Sequence, residues 1–144
     1  MGPRGVPMEE SREGGCQCGA LRYEFSGQPI VVAACHCLDC QRQSGSAFGL
    51  SMVVRRDAFR WHSGNPATFL TKADSGIPKK CVFCPACGTR IYNALDSMPD
   101  TFNLKPGTLD DTSWFEVSFH VWTKRKQPWL VIPEGCRIFD ANPG

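Results

Sequence analysis

The chain has no long hydrophobic run and little net charge. No stretch of its 144 residues approaches the roughly 18 apolar residues of a membrane span. Residues 1–15 are polar and glycine-rich, without the apolar run of a secretory signal. The formal net charge is +2, from 16 basic and 14 acidic residues, which is too balanced to indicate nucleic-acid binding. We therefore expect a cytoplasmic protein with neither a membrane partner nor a nucleic-acid partner.

Cysteine, by contrast, is abundant. The chain has nine cysteines, and an odd number cannot all pair as disulfides. Disulfides also need an oxidising compartment, and the sequence shows no signal that directs the chain to one. Clustered cysteines in a cytosolic or nuclear chain more often bind metal. We expect at least seven of the nine to be zinc ligands.

The pattern of apolar residues predicts one mostly β domain. Leu21, Tyr23 and Phe25 alternate with Arg22 and Glu24, as in a half-buried strand. Further short strands are expected at residues 30–34, 48–54, 59–61, around 69, 81–83, 90–95, 101–105, 115–121 and 129–132. Only residues 38–44 are expected to form a short helical turn. We expect a mobile leader over residues 1–13, the domain over 14–140 and a tail over 141–144.

The cysteines fall into three short motifs. These are Cys16-Gln17-Cys18, Cys35-His36-Cys37-Leu38-Asp39-Cys40 and Cys84-Pro85-Ala86-Cys87-Gly88, with Cys81 and Cys136 outside them. Two thiolates separated by two residues can bind one ion in a tight turn, which Pro stiffens and Gly permits. A structural zinc needs four ligands, so Cys84 and Cys87 must pair with another motif. A redox disulfide between them is less favoured because no βαβ pattern surrounds them.

The division of the thiols bears on function. If Cys16, Cys18, Cys84 and Cys87 close one tetrahedron, then Cys35, Cys37 and Cys40 remain as three ligands with one open position, as in a catalytic zinc site. Zinc with three thiolates carries a formal charge of −1, so it is a weak Lewis acid that can still hold an incoming thiol as thiolate. Alternatively, Cys81 closes this second site as a fourth ligand, although a buried free cysteine in a strand is common. His36 is expected to stay unbound.

The cysteine motifs resemble a known family. Gly15-Cys16-Gln17-Cys18-Gly19, Cys35-His36-Cys37-Leu38-Asp39-Cys40 and Phe83-Cys84-Pro85-Ala86-Cys87-Gly88-Thr89 are similar to the glutathione-dependent formaldehyde-activating enzyme family, also called the GFA or CENP-V domain. The resemblance continues through Lys105-Pro106-Gly107-Thr108-Leu109-Asp110 and His120-Val121-Trp122-Thr123 to about residue 139. It implies an all-β, Mss4-like fold of short antiparallel sheets.

The resemblance also implies two zinc ions per chain. The structural zinc would lie on Cys16, Cys18, Cys84 and Cys87, and the catalytic zinc on Cys35, Cys37 and Cys40. The implied activity is that of a carbon–sulfur lyase or synthase, which joins glutathione to formaldehyde or another aldehyde to give an adduct such as S-hydroxymethylglutathione. Its partners would be a small-molecule thiol and an aldehyde.

Two functions compete at this point. In the enzyme hypothesis, no pattern identifies a general base, although His62 and His120 are available, and Arg55, Arg56 and Arg60 could meet the carboxylates of glutathione. The alternative is a non-catalytic, zinc-stabilised binding module of the CENP-V or Mss4 kind, which closed four-cysteine coordination at both sites would favour. A third reading, methionine sulfoxide reduction by metal-free Cys136, is disfavoured by the Pro/Gly-rich surroundings of that residue.

Overall fold

The computed structural model describes residues 10–73 and 76–142. Within them the chain is mostly strand with one short helix, which confirms the predicted fold class. The elements are β1 (Ser11–Gly15), β2 (Arg22–Ser26), β3 (Val31–Cys35), α1 (Leu38–Ser44), β4 (Gly49–Arg55), β5 (Phe59–Ser63), β6 (Ala67–Lys72), β7 (Pro78–Phe83), β8 (Arg90–Leu95), β9 (Thr101–Leu104), β10 (Phe119–Val121) and β11 (Arg137–Ile138). None of the described helices is long and apolar enough to cross a membrane.

The strands form two sheets. A three-stranded sheet has the order β1-β2-β5, and an eight-stranded sheet has the order β11-β10-β3-β4-β9-β8-β7-β6. All pairs are antiparallel except those of β10, which runs parallel to both β3 and β11. The expectation of antiparallel sheets alone is therefore wrong at β10. The long connection after β9 lets the chain cross over and enter β10 in the direction of β3, as parallel pairing requires.

The hydrophobic core lies between the two sheets. Alternate residues of a strand point to opposite faces, so Val32 on β3, Met52 on β4 and Leu104 on β9 face the small sheet. They meet Tyr23 and Phe25 of β2, both 1% exposed. The residues between them, such as Ala33 and Val53, lie on the opposite face of the large sheet. That second face lines a cavity.

The ordered sheet begins earlier than residue 14, where the sequence placed the domain boundary. Ser11 pairs with Ser26 and Arg12 with Phe25, so residues 11–13 belong to β1 rather than to a mobile leader. Their polar side chains gave no apolar alternation because β1 is an edge strand that contributes little to the core. Residues 1–9 lie outside the described part of the chain.

Two predicted strands are wrong in whole or in part. Only residues 119–121 of the predicted strand 115–121 form a strand, because Phe115 and Val117 pack against the core from a loop. Residues 129–132 form no strand, and Val131 is 85% exposed. Of the predicted tail, Ala141 accepts a hydrogen bond from the backbone N–H of Trp122, and the Asn142 side chain accepts one from the Trp122 indole. Residues 143–144 are outside the described range.

Candidate metal centres

Four cysteine thiols meet where the turn after β1 approaches the turn after β7. The sulfur atoms of Cys16, Cys18, Cys84 and Cys87 all lie within 4.8 Å of one another. Both turns contain a glycine in the left-handed region, Gly19 at φ 84° and Gly88 at φ 82°, a conformation that other residues rarely adopt. The tight turns bring together the two thiols of each pair, and β1 and β7 bring the pairs together.

The distances in this four-thiol group fit a metal ion. Zinc binds thiolate sulfur at about 2.3 Å, and a tetrahedron of that size has sulfur–sulfur edges of about 3.8 Å. The Sγ atoms of Cys16 and Cys18 are 3.6 Å apart, and those of Cys18 and Cys84 are 3.8 Å apart. The backbone N–H of Leu21 also donates to Cys16 Sγ at 3.2 Å, a type of bond that stabilises thiolate ligands.

Thr89 joins the two halves of the four-thiol group. Its hydroxyl accepts a hydrogen bond from the backbone N–H of Gln17 at 3.1 Å and donates to Cys87 Sγ at 3.2 Å. The bond from Thr89 lowers the pKa of Cys87 to about 5. A thiol that loses its proton this readily is prepared for metal binding at neutral pH.

Three further thiols form a separate group at the junction of β3 and α1. The sulfur atoms of Cys35, Cys37 and Cys40 lie within 4.8 Å of one another. Cys35 is the last residue of β3, and Cys37 caps α1 by accepting a hydrogen bond from the backbone N–H of Cys40 at 3.3 Å. Hydrogen bonds from the thiols of Cys35 and then Cys40 hold the pKa of Cys37 well below its usual range. The same contacts raise the pKa of Cys35, with Cys37 as the largest cause, so the group on its own favours one thiolate, at Cys37.

Cys81 belongs to neither group. It lies on β7 between Phe69 of β6 and Asn93 of β8, and it is 2% exposed. Its sulfur is not among the atoms that come together at Cys35, Cys37 and Cys40, so these residues do not form a four-cysteine site with it in this structure. The ninth cysteine, Cys136, directs its thiol at the carbonyl of Val117 at 3.6 Å. All nine thiols are free.

A cavity of about 380 Å³ adjoins the three-thiol group. It lies on the face of the large sheet opposite the core, and Cys35, Cys37 and Cys40 line one end of it together with Asp39. None of the cysteines of the four-thiol group lines this cavity. The two groups therefore differ in their surroundings, since among the described residues the three-thiol group lines this cavity and the four-thiol group does not.

Polar residues that sequence reasoning did not select also reach this cavity. Lys105 follows β9, is partly buried and donates to the carbonyl of Leu50 at 3.1 Å; burial lowers its pKa, while the charge of Cys40 raises it. Asn93 and Asn103 lie beside each other on β8 and β9. A usable signal did exist, because Asn103 and Lys105 alternate with the buried residues Phe102 and Leu104.

A second set of polar side chains contacts the three-thiol group through Cys40 and connects it to the large sheet. Arg90 donates to Gln43 Oε1 at 2.6 Å and to Asn93 Oδ1 at 3.1 Å. Gln43 in turn directs its amide N–H at Cys40 Sγ at 3.8 Å. These contacts connect α1, which carries Cys40, to β8 of the large sheet.

The histidines and arginines considered from sequence lie elsewhere. His36 is fully buried and not part of the three-thiol group; its Nε2 is 2.9 Å from Nδ1 of His120. His62 and Arg60 bind Glu24 on the small sheet, and Arg55 pairs with Asp57. Arg56 stacks over the Phe102 ring. None of these residues lines the cavity.

Comparison with known proteins gives three findings. A curated relative, the leucine–tRNA ligase of Delftia acidovorans, is 31% identical over 101 residues, which are 70% of this chain. The matched part is 9% of that relative, so its activity as a whole does not carry over. A crystal structure of a Rhodobacter sphaeroides protein has a TM-score of 0.56 at 21% identity, covers 73% of this chain and 96% of its own, and shows a similar fold.

The third finding is a match to a family model. The family described as "glutathione-dependent formaldehyde-activating enzyme" matches residues 11–125, a range that contains both thiol groups and Lys105. The match covers most of the chain and starts with β1. This chain belongs to the glutathione-dependent formaldehyde-activating enzyme (GFA) family.

Proposed function

We propose that this protein is a zinc-dependent carbon–sulfur lyase that joins glutathione to an aldehyde, such as formaldehyde, and reverses the reaction. The observation that carries the proposal is the position of the three-thiol group at one end of a cavity of about 380 Å³. Family membership supports glutathione as the thiol. The non-catalytic alternative needs no such cavity beside an incomplete set of ligands.

Each thiol group suits one zinc ion. Cys16, Cys18, Cys84 and Cys87 would hold a structural zinc, since their sulfurs lie within 4.8 Å of one another and two of the distances, 3.6 and 3.8 Å, match a zinc tetrahedron. Cys35, Cys37 and Cys40 would hold a second zinc and leave one position for a substrate thiol. Zinc bound there would lower the pKa of that thiol and so keep it as a thiolate.

The side chains of the cavity would position the reactants. The ammonium group of Lys105 lies near Cys40 and Cys35 and offsets their negative charge. The amides of Asn93 and Asn103 offer hydrogen bonds to a peptide-like thiol such as glutathione. In the reaction the glutathione sulfur bonds to the aldehyde carbon, the C=O π pair moves to oxygen, and that oxygen takes up the proton that the thiol lost. Atoms and electrons balance without an oxidant.

Nine free thiols, seven of them in two groups, also suit a reducing compartment. We therefore place the reaction in the cytoplasm. The partners of the chain would be the two small molecules, thiol and aldehyde.

Metal analysis and exchange spectroscopy test this function. Elemental analysis of purified protein should give two zinc ions per chain, and one for Cys40→Ser. Exchange spectroscopy with ¹³C-formaldehyde should show faster interconversion of free formaldehyde and its glutathione adduct, and Cys40→Ser should abolish the acceleration. Cys136→Ser, outside both groups, is the matched control. If the protein with two zinc ions neither binds glutathione nor accelerates the exchange, the non-catalytic alternative is correct.

A further inference from the structure

The cavity beside the three-thiol group has two chemically different halves. The apolar half lies on β3, β4 and β10 and contains mostly apolar side chains, those of Val31, Ala33, Val53, Phe119 and Val121, with the hydroxyl of Ser51 among them. The polar half, which has the charged and amide side chains, lies on β7, β8 and β9 and contains Lys79, Asn93, Asn103 and, just after β9, Lys105, beside the apolar side chains of Leu95 and Met98. Because β4 is the neighbour of β9, the two halves meet along one line in the sheet.

The strand register sets the size of each half. Val31 pairs with Val53, Val53 with Asn103, and Asn103 with Asn93, so one row of side chains crosses both halves. Neighbouring strands are about 4.8 Å apart, which makes each half about 10 Å wide. Cys35 and Val31 are the two ends of the exposed row on β3, and at about 3.3 Å per residue they are about 13 Å apart. Both halves thus have room for a ligand group of several atoms.

The polar half suits the peptide part of glutathione. Lys79 and Lys105 offer two ammonium groups to carboxylates. Asn93 accepts from Arg90 through Oδ1, which leaves its NH₂ group to donate. The hydrogen bonds within the described residues use neither the Asn103 amide nor the Lys79 ammonium. These groups are free to bind a ligand.

If the carbon partner is formaldehyde, the ligand leaves the side chains of the apolar half uncovered. Formaldehyde has no hydrocarbon surface with which to cover half-exposed valine and phenylalanine side chains. Val31, Val53 and Phe119 are each partly exposed on the cavity side of the sheet, so they would gain burial only from a ligand that carries hydrocarbon. An apolar lining with a few polar groups is the usual composition of a site that binds such a ligand.

We propose that the physiological carbon partner is an aldehyde with an apolar chain or ring of several carbons, which lies on the apolar half while glutathione lies on the polar half. This rests on the proposed function and names its substrate class. The product is the hemithioacetal: one C–S bond forms, the carbonyl π bond breaks, and the thiol proton ends on the new hydroxyl oxygen. The same step in reverse releases the aldehyde.

Stable glutathione thioethers test the apolar half without any turnover. S-methylglutathione and S-hexylglutathione share the peptide and the thioether sulfur and differ only in methylenes. Each buried methylene is worth about a fourfold gain in affinity. Titration calorimetry on the zinc-loaded protein should show S-hexylglutathione binding at least tenfold more tightly than S-methylglutathione.

A pair of matched variants tests whether the preference for S-hexylglutathione arises in the apolar half. Val53→Asn places an amide in the middle of the apolar half and should reduce the preference for S-hexylglutathione by at least fivefold. Val131→Asn makes the same change at a residue that is 85% exposed and does not line the cavity, so it should keep the preference. An equal loss in both variants would overturn the assignment of the apolar half.

The possible results separate this inference from the proposed function. If glutathione binds but S-methylglutathione and S-hexylglutathione bind equally well, the apolar partner is wrong and a glutathione-dependent enzyme remains. If neither glutathione nor any thioether binds, the proposed function fails and this inference fails with it. The inference also fails if wild-type kcat/KM is no higher for hexanal than for formaldehyde.

Discussion

Arg90 and Gln43 join the large sheet to the helix that carries Cys40. Arg90 Nη1 donates to Gln43 Oε1 at 2.6 Å, and Gln43 directs its own N–H at Cys40 Sγ. Partners that orient a metal ligand commonly change metal affinity by 10- to 100-fold when removed. Arg90→Met should therefore weaken metal binding at the three-thiol group by about tenfold and leave the four-thiol group unchanged. Competition with a chromophoric chelator measures both affinities.

Arg55→Met is the matched control for this prediction. Arg55 binds one side chain, Asp57, where Arg90 binds two, and it is exposed and does not line the cavity. Its loss should leave both metal affinities at the wild-type value. Equal retention of metal by Arg90→Met and Arg55→Met would show that the contact between Arg90 and Gln43 does not support the ligands.

The two thiol groups should differ in what their loss does to the fold. Cys84 is 1% exposed and belongs to the hydrophobic core, whereas the three-thiol group lies at the cavity on the opposite sheet face. Cys84→Ser should therefore lose one zinc and lower Tm by well over 10 °C, since structural zinc contributes directly to folding. Cys40→Ser should lose the other zinc, keep most of its Tm and lose activity.

Elemental analysis together with thermal unfolding monitored by circular dichroism measures both effects. Cys136→Ser shows what the loss of a thiol outside both groups does on its own. If Cys40→Ser unfolds as readily as Cys84→Ser, both metals are structural and the division of roles between the groups is wrong.

Local patterns predicted most strands and the helix. Residues 38–44 were expected to be helical, and α1 covers Leu38–Ser44 because Cys37 caps its first turn and Gly45 ends it. The spacing of the cysteines left their pairing open, and the family resemblance implied a set of four and a set of three; the structure brings the sulfur atoms together in these two sets. Zinc itself, and the roles of the two sets, stay predictions.

Long-range features could not be obtained from the sequence. The cavity depends on the sheet order β10-β3-β4-β9-β8-β7, which brings Cys35 and Lys105 to the same face although they are distant in sequence. The alternation at 115–121 predicted a long strand because it reports which side chains are buried and not whether the backbone has a partner. The position of Cys81 on β7, separate from the three thiols, likewise required the strand register.

The carboxylate of Glu24 gives the small sheet an acid-sensitive contact. Arg60, then Ser11 and His62, bind it and lower its pKa from 4.5 to about 2. A carboxyl group with a lowered pKa in the folded state stabilises the fold above its unfolded pKa and loses that effect as pH falls. The wild-type protein should therefore lose more stability than Glu24→Gln between pH 5 and pH 2. Urea unfolding at several pH values measures the difference.

The control for this pH dependence is Glu134→Gln. Glu134 is exposed and forms no ion pair within the described residues. Its variant should show the same pH dependence as the wild type. A Glu24→Gln curve that runs parallel to the wild-type curve from pH 5 to pH 2 would mean that the bonds from Arg60 and His62 contribute nothing to folding.

Gly14 lies where the small sheet closely approaches the loop after β9, and it forms a β-bridge with Leu109. A Cβ atom there would be 2.5 Å from the backbone oxygen of Thr108 and 2.5 Å from Tyr23 Oη. Tyr23 is 1% exposed and hydrogen-bonded to Thr108 Oγ1, so it cannot move aside without breaking that bond. Overpacking of this kind costs about 2 kcal/mol, so Gly14→Ala should lower Tm by roughly 5–8 °C.

Gly107 provides the comparison within the same region. A Cβ atom at position 107 has no atom within 4 Å, and the backbone there is not in the left-handed region. Gly107→Ala should therefore keep or slightly raise Tm, because alanine restricts the unfolded chain more than glycine does. Scanning calorimetry of the two variants compares them directly. Equal Tm values would mean that β1 is not held against residues 105–110 as closely as the structure places it.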